Sequence, residues 1–166
     1  MEKSKKVILE VLSYVAIIVV VILIKTFIVS PIRVNGSSMY KTLHDKDIMI
    51  LNEMAYYFDD IKRGDIVVVK EKKELIIKRV IGLPNETVEC KDGVIFINDK
   101  KLTETYVNGT TDEFEKVELG DDEYFVLGDN REVSLDSRVY GAYNKSDIKG
   151  KANFTIYPFS RFGDKK

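Results

Sequence analysis

The feature that most constrains the fold is an almost unbroken apolar run at residues 7–24 of a 166-residue chain. At about 1.5 Å of rise per residue, a helix of this length spans roughly 27 Å, close to the thickness of a bilayer's hydrocarbon core. Residues 25–29, Lys-Thr-Phe-Ile-Val, offer no small-x-small cleavage site, so an uncleaved anchor fits better than a secretory signal that is removed. We therefore predict a transmembrane anchor over residues 7–24.

Charges around the anchor predict its orientation. Lys3, Lys5 and Lys6 precede the apolar run, and positive residues next to a span favour the cytoplasmic side. Residues 1–6 are therefore expected in the cytoplasm, with residues 25–166 outside the cell and the lipid bilayer as a partner. Cys90 is the single cysteine, so no intrachain disulfide can form and the extracytoplasmic part must be stabilised by its core.

The composition beyond the anchor is that of one ordinary domain. Roughly 140 residues are enough to bury a real core. The chain has 32% charged residues and a formal net charge of −1, so no strongly basic character points to nucleic acid as a partner. No pattern in the sequence calls for a metal, a nucleotide or another cofactor.

Short β-branched segments bounded by turn residues predict a mainly β domain with antiparallel pairing. The predicted strands are residues 47–51, 65–69, 75–82, 88–91, 94–97, 124–127 and 152–157. Asp92 and Gly93 separate two of them and form a two-residue hairpin signal. We predict a barrel-like sheet with a small inserted lobe at residues 85–123, in which residues 102–120 are rich in loops.

Ser38 is a candidate nucleophile because it follows the apolar run within about fifteen residues and would lie near the membrane surface. A serine hydroxyl needs a base, because it is a poor nucleophile at its own pKa. The one histidine, His44, is close to Ser38 in the chain, but this closeness does not aim its imidazole at the hydroxyl. We interpret His44 as a surface turn residue.

Two lysines compete for the role of base. Lys78 lies in an apolar strand, where desolvation would lower its pKa and let the neutral amine accept a proton. An ordinary strand lysine that reaches solvent along its aliphatic stem is the alternative. Lys41 gives the Ser-x-x-Lys spacing of penicillin-binding proteins and serine β-lactamases, although no Lys-Thr-Gly or Ser-Asp-Asn motif accompanies it. The residues alone leave both lysines open.

Four segments resemble the conserved boxes of type I signal peptidases. They are GSSMYKTL at residues 36–43, RGDIVV at residues 63–68, IKRVIGLP at residues 77–84, and GDNR at residues 128–131, continued by Ser134 and by DSR at residues 136–138. The boxes follow the family's order and, with the anchor, cover nearly the whole chain. The single anchor and the short hairpins resemble the compact form found in Gram-positive bacteria.

The resemblance implies a membrane-anchored serine endopeptidase with a Ser–Lys dyad. Ser38 would attack the scissile carbonyl, and Lys78 would take its proton and pass it to the leaving amine. Ser134 would hydrogen-bond the Lys78 amine, while Asp136 and Arg138 would form an ion pair behind it.

The resemblance also implies a turn and an oxyanion hole beside the dyad. Gly128 and Asp129 would shape the adjoining turn. The Ser38 backbone N–H is the implied donor to the developing negative charge. Gly36 stands where some family members carry a hydroxyl, so the second donor is open between Ser37 and water.

Two positions depart from the family pattern. The family usually has proline where Lys41 stands, and Gly-Asp where Asn85 and Glu86 stand. Because proline fixes φ near −65°, its loss predicts a looser turn after Ser38. Both departures bear on substrate fit more than on the proposed dyad.

The implied substrates are the signal peptides of exported preproteins, cut after a small-x-small pattern. We expect an extended peptide to add alongside residues 32–36 and 75–78 through main-chain hydrogen bonds. Gly36, Met39 and Ile77 are candidates to bind substrate, and core packing is the alternative for Met39 and Ile77. No obligate protein partner is evident.

Two other functions are weighed against this one. A self-cleaving Ser–Lys protease of the repressor type shares the chemistry, but no DNA-binding segment precedes Ser38 and a membrane anchor would be out of place there. A non-catalytic homologue could act as a membrane-tethered assembly factor, for example in pilus biogenesis. Such a homologue should have lost Ser38 or Lys78, and both are present.

Overall fold

The computed structural model describes the backbone of residues 2–27 and 29–165 and the side chains of residues 5–21 and 30–165. Its first element is a helix, α1 (Glu2–Phe27), which covers the predicted anchor. Across this described part of the chain, no helix combines the length and the apolar character that a membrane span needs. The anchor therefore stays a prediction; the side chains of its residues 22–24, and Met1 of the predicted cytoplasmic segment, lie outside the described residues.

The remainder is mainly β and antiparallel, which confirms the predicted class. The strands are β1 (Val29–Arg33), β2 (Ile48–Asn52), β3 (Ile66–Glu71), β4 (Glu74–Gly82), β5 (Thr87–Lys91), β6 (Val94–Ile97), β7 (Lys100–Lys101), β8 (Phe114–Glu118), β9 (Glu123–Leu127), β10 (Tyr143–Asn144), β11 (Ile148–Tyr157) and β12 (Gly163–Asp164). Short helices are α2 (Ala55–Phe58) and α3 (Ser137–Tyr140), with 3-10 turns at Lys145–Asp147 and Phe159–Arg161.

The larger sheet carries the predicted catalytic boxes. Its order is β1-β2-β11-β3-β4-β9-β10, with β12 paired to β11. Among the described residues, β1 and β10 do not pair, so hydrogen bonds do not close the sheet into the predicted barrel. At its centre β3 and β4 form a hairpin in which Val67 lies opposite Lys78.

A second sheet, with the order β7-β6-β5-β8, lies between β4 and β9 in the chain. Its strands fall within the segment predicted as an inserted lobe. Asp92 and Gly93 connect β5 to β6 with φ of +50° and +74°, as the two-residue hairpin signal predicts. Residues 102–120 are rich in loops, as predicted, apart from β8, whose polar, mostly exposed residues pair with β5. Pairing with a neighbouring strand, rather than local apolar alternation, forms this strand.

Both faces of β3 are buried. Ile66 and Val68 pack in one core cluster, and Val67 and Val69 pack in another, because successive side chains of a strand point to opposite faces. The first of these clusters also contains Met39 of the Ser38 turn. The continuous apolar strand therefore gives the predicted catalytic segments a rigid support.

Candidate active site

Ser38 lies in a tight turn after β1 that is fixed on both sides. Val34 and Met39 flank the turn, and both are buried in the same core cluster. Gly36 has φ of +89°, in the left-handed region that favours glycine, and its N–H donates to Asp45 Oδ1 at 2.9 Å. These contacts hold the backbone while the Ser38 side chain lines an open groove.

Lys78 reaches Ser38 from the central hairpin. It lies within β4, and only 3% of its surface is exposed. Lys78 Nζ donates a hydrogen bond to Ser38 Oγ at 2.9 Å. Two residues 40 positions apart in the sequence therefore meet at hydrogen-bonding distance.

The surroundings of Lys78 favour its neutral form. Burial lowers the pKa of Lys78 from 10.5 to about 8, because the charged ammonium loses solvation. The carboxylates of Asp136 and Asp129 oppose this shift, and the Arg138 guanidinium adds to it. With a pKa of about 8, about a tenth of the amine is neutral at pH 7 and able to accept a proton, and this fraction rises with pH.

Ser134 differs from what the resemblance implies. Its side chain is buried, but its Oγ makes no hydrogen bond to any described residue, so the expected contact with the Lys78 amine is not formed. An added Cβ on Gly128 would overlap Ser134 Oγ, which means that the hydroxyl packs against the Gly128 backbone. Close packing against this glycine accounts for the difference.

Asp136 and Arg138 form the expected ion pair. Arg138 Nε donates to Asp136 Oδ1 at 2.9 Å, and Arg138 Nη2 donates to Asp136 Oδ2 at 3.0 Å. The Gly128 N–H also donates to Asp136 Oδ2 at 3.0 Å. Burial alone would raise the pKa of Asp136, but the hydrogen bonds from Arg138 and Gly128 outweigh it and keep the pKa below its usual value. The pair thus ties α3 to the turn that follows β9.

Asp129 does more than shape a turn. Arg79 Nε and Nη2 donate to its two carboxylate oxygens at 2.8 and 2.7 Å, and the Thr42 hydroxyl donates to Oδ2 at 2.5 Å. The ring of Tyr106 stacks on the Arg79 guanidinium with 4.0 Å between the ring centroid and Cζ. Because side chains alternate along β4, Lys78 faces the groove while Arg79 faces this buried network.

The groove beside the dyad runs between two strands. One wall is formed by residues 31–39 and the other by residues 74–78, with Val133, Leu135 and Tyr140 at the rim. Gly36, Met39 and Ile77 line it, as expected for substrate-binding candidates. Met39 and Ile77 also belong to a buried core cluster, so these two side chains both line the groove and pack in the core.

The competing bases lie elsewhere. Lys41 is exposed and lines a separate shallow depression with Thr42 and Tyr106, and no described hydrogen bond joins it to Ser38. His44 packs its ring edge-on against Tyr40, with 5.0 Å between centroids. Ser38 therefore meets Lys78, while Lys41 and His44 remain outside the dyad.

Sequence reasoning missed Arg79 and Asn130 as parts of the site. Arg79 directly follows Lys78 in IKRVIGLP, and Asn130, whose N–H donates to the Ser38 carbonyl at 2.9 Å, lies in GDNR. Membership of these two segments was therefore the signal that could have found them. Among the described residues, no group of three or more His, Cys, Asp or Glu side chains could hold a metal ion.

Most of the chain is similar in sequence to known proteins of one family. A family model described as "Signal peptidase, peptidase S26" matches residues 7–157. The chain is 41% identical over 171 residues to signal peptidase I S of Bacillus subtilis strain 168, covering 95% of this chain and 93% of the relative. It is 40% identical to a signal peptidase I of Bacillus amyloliquefaciens, over 86% of this chain and 84% of the relative. Signal peptidase IB of Staphylococcus aureus strain COL is 35% identical, over 95% of this chain and 94% of the relative.

A solved structure shares the fold. The crystal structure of a signal peptidase I from Enterococcus faecalis V583 aligns with a TM-score of 0.52 and 32% sequence identity. The alignment covers 56% of this chain and 97% of that chain. The part that aligns is therefore nearly the whole of the solved chain.

Proposed function

The chain belongs to the signal peptidase family, peptidase S26, and we propose that it removes signal peptides from exported preproteins through a Ser38–Lys78 dyad. The observation that carries the proposal is the 2.9 Å hydrogen bond between Lys78 Nζ and Ser38 Oγ. A nucleophile within hydrogen-bonding reach of a base is the arrangement that covalent catalysis requires.

The proposed reaction proceeds in two stages. Neutral Lys78 accepts the Ser38 hydroxyl proton as Oγ attacks the scissile carbonyl, and the Ser38 N–H stabilises the oxyanion that forms. Lys78 then gives the proton to the leaving amine, which departs with the mature protein. In the second stage Lys78 takes a proton from water, which attacks the acyl-enzyme ester. The bond between the acyl carbon and Ser38 Oγ then breaks, Lys78 returns the proton to Oγ, and the signal peptide is released. The buried position of Lys78 supports its role as base in both stages.

The groove supports recognition of an extended peptide with small side chains. A peptide strand between residues 32–36 and 75–78 would find backbone groups on both sides. Met39 and Ile77 line the groove while they pack in the core, so their side chains are held in place and cannot move aside for a bulky substrate side chain. We infer that this fixed lining selects small residues on the acyl side of the cleaved bond.

The N-terminal helix supports attachment to the cell membrane. The apolar side chains described between Val7 and Val21 expose between 48% and 67% of their surface, a pattern suited to lipid rather than to water. We propose that this segment anchors the chain once, with the lysines at its start in the cytoplasm and the catalytic domain outside. The dyad would then lie close to membrane-borne signal peptides.

The test is cleavage of a preprotein with an Ala-x-Ala site by detergent-solubilised protein. Wild type is compared with Ser38→Ala, Lys78→Ala and Lys41→Ala, the last being a matched lysine outside the dyad. We expect loss of activity with the first two variants only. Loss with Lys41→Ala but not with Lys78→Ala would move the base, and an inactive wild type on several substrates would contradict the function.

A further inference from the structure

One asparagine holds the backbone on both sides of Ser38. The Asn130 N–H donates to the Ser38 carbonyl at 2.9 Å, and Asn130 Nδ2 donates to the Ser37 carbonyl at 3.1 Å. The Ser37 carbonyl also accepts the Tyr40 N–H at 3.1 Å, within the turn itself. Both peptide groups that flank the Ser38 Cα are therefore tied to the segment that follows β9.

The Asn130 side chain holds the peptide group between Ser37 and Ser38, whose N–H would stabilise the oxyanion. The Ser37 carbonyl and the Ser38 N–H belong to one planar trans peptide, so the two groups point in opposite directions. A hydrogen bond that fixes the carbonyl consequently fixes the direction of the N–H. This N–H is the donor that the proposed reaction uses, and its value depends on being aimed before the charge develops.

A second asparagine, from the inserted lobe, orients the first. Asn108 Nδ2 donates to Asn130 Oδ1 at 3.2 Å. The two ends of an amide have nearly the same shape, so a donor at Oδ1 decides that the NH₂ end faces Ser37. Asn108 is itself fixed, because its N–H donates to the Asp129 carbonyl at 2.8 Å and its carbonyl accepts the Arg131 N–H at 3.0 Å.

We propose that Asn130 is a positioning residue that aims the Ser38 N–H at the developing oxyanion, and that Asn108 holds the Asn130 amide in the orientation this requires. The inference rests on the proposed function, because it assigns a task within that reaction. It gives the inserted lobe a part in catalysis, carried by a chain of two side-chain hydrogen bonds from Asn108 to Ser37.

The experiment separates kcat from KM for side-chain variants. Asn130→Ala keeps the backbone N–H bond to Ser38 and removes only the amide. We expect kcat to fall about 10- to 100-fold with KM within about twofold, since the loss concerns the transition state. Asn130→Asp should lose more, because a carboxylate cannot donate to the Ser37 carbonyl and its negative oxygen also repels the carbonyl oxygen. Asn108→Ala should cause a smaller fall in kcat of the same kind.

A double-mutant cycle and a pH profile distinguish positioning from general destabilisation. Asn108→Ala should add little to Asn130→Ala, because both break one chain of contacts. The apparent pKa of the rate should stay at the wild-type value in the alanine variants, since Lys78 keeps its surroundings. Asn153→Ala is the matched control, because it removes the hydrogen bond that Asn153 Nδ2 on β11 donates to Asp164 Oδ1 on β12 at 2.6 Å, and it should leave kcat unchanged.

The results distinguish failure of the positioning role of Asn130 from failure of the proposed function. An active wild type with an inactive Ser38→Ala variant supports the function; if Asn130→Ala then keeps kcat within about twofold, or changes only KM, the positioning role is overturned. Additive effects of the two asparagines would overturn the part of Asn108. An inactive wild type overturns both proposals, and thermal unfolding of each variant shows that the compared proteins are folded.

Discussion

At the scale of single residues, burial decides what Lys78 can do. In solution a lysine amine is almost fully protonated at neutral pH and cannot act as a base. In β4 the amine loses solvation, and its pKa falls to about 8. The same burial places it against the Ser38 hydroxyl, so one environment supplies both the protonation state and the contact.

The pH dependence of cleavage follows from this pKa. Only neutral Lys78 accepts the proton, so kcat/KM should rise about tenfold per pH unit below the pKa and level off above it. We expect the midpoint near pH 8, measured on a peptide substrate whose own groups do not titrate in this range. A rate that stays flat between acid and alkaline pH would contradict the role of Lys78.

The atoms around Gly128 leave no room for a larger side chain. A Cβ at this position would lie 2.5 Å from the Ser38 carbonyl oxygen and would overlap the Ser134 side chain. Gly128→Ala should therefore push the Ser38 turn away from Lys78. We expect a loss of about 1–3 kcal/mol in the free energy of unfolding and more than a tenfold loss of activity.

Gly120→Ala is the matched control for this substitution. Its added Cβ would meet the flexible end of Glu123 at 3.4 Å, so both stability and activity should stay close to wild type. Chemical denaturation and peptide cleavage, measured on both variants, check the difference. Equal behaviour of the two alanine variants would rule out close packing at Gly128 as a constraint.

At the scale of elements, a buried ion pair joins β4, the strand that contains Lys78, to the turn after β9. Arg79 and Asp129 are 1% and 0% exposed in their side chains, and their two hydrogen bonds are near 2.7 Å. The pair thus holds β4 against the turn that contains Asn130. The ion pair fixes β4 and this turn relative to each other.

Removing one partner of this pair should be costly. Asp129→Ala leaves the Arg79 guanidinium buried without its anion, and we expect a loss of about 3–5 kcal/mol in the free energy of unfolding. Urea denaturation measures this loss. The control is Asp59→Ala, which breaks the exposed Asp59–Lys62 pair and should cost less than about 1 kcal/mol. A small loss at Asp129 would mean that solvent or another group replaces the carboxylate.

At the scale of the whole molecule, the β region contains its own cores. The three clusters of buried apolar residues draw their members from residues 34–152, with none from α1 among the described side chains. Nine-tenths or more of each buried side chain is covered by other parts of the β region. We therefore expect the stability of the fold to be separable from the proposed attachment to a membrane.

A variant that begins at Val29 should show this separation. We expect cooperative unfolding with a Tm within about 4 °C of the full chain, because no core residue is removed. Cleavage of a short soluble peptide should persist, whereas co-sedimentation with lipid vesicles should be lost. An unfolded variant, or one that still binds vesicles as the full chain does, would contradict the proposed division.

Much of the site followed from the sequence because its residues belong to short ordered boxes. The boxes predict four site residues, Ser38, Lys78, Asp136 and Arg138. The structure brings Lys78 into contact with Ser38, and Arg138 into contact with Asp136. The antiparallel class and the Asp92–Gly93 hairpin followed from strand composition and from the φ preferences of two residues. Local patterns of this kind are set by backbone sterics and by the side-chain alternation of strands, both of which act within a few residues.

What only the tertiary structure decided are contacts between segments far apart in the chain. Residue chemistry alone leaves Lys41 and Lys78 open as bases and the family resemblance favours Lys78, but only the fold brings Lys78 to Ser38 across 40 positions. It also pairs Arg79 with Asp129, links Asn108 to Asn130, and leaves the Ser134 hydroxyl without the expected hydrogen bond to the Lys78 amine. Each of these depends on strand register and on close packing at a glycine, and a one-residue shift in register would send every side chain of a strand to the opposite face.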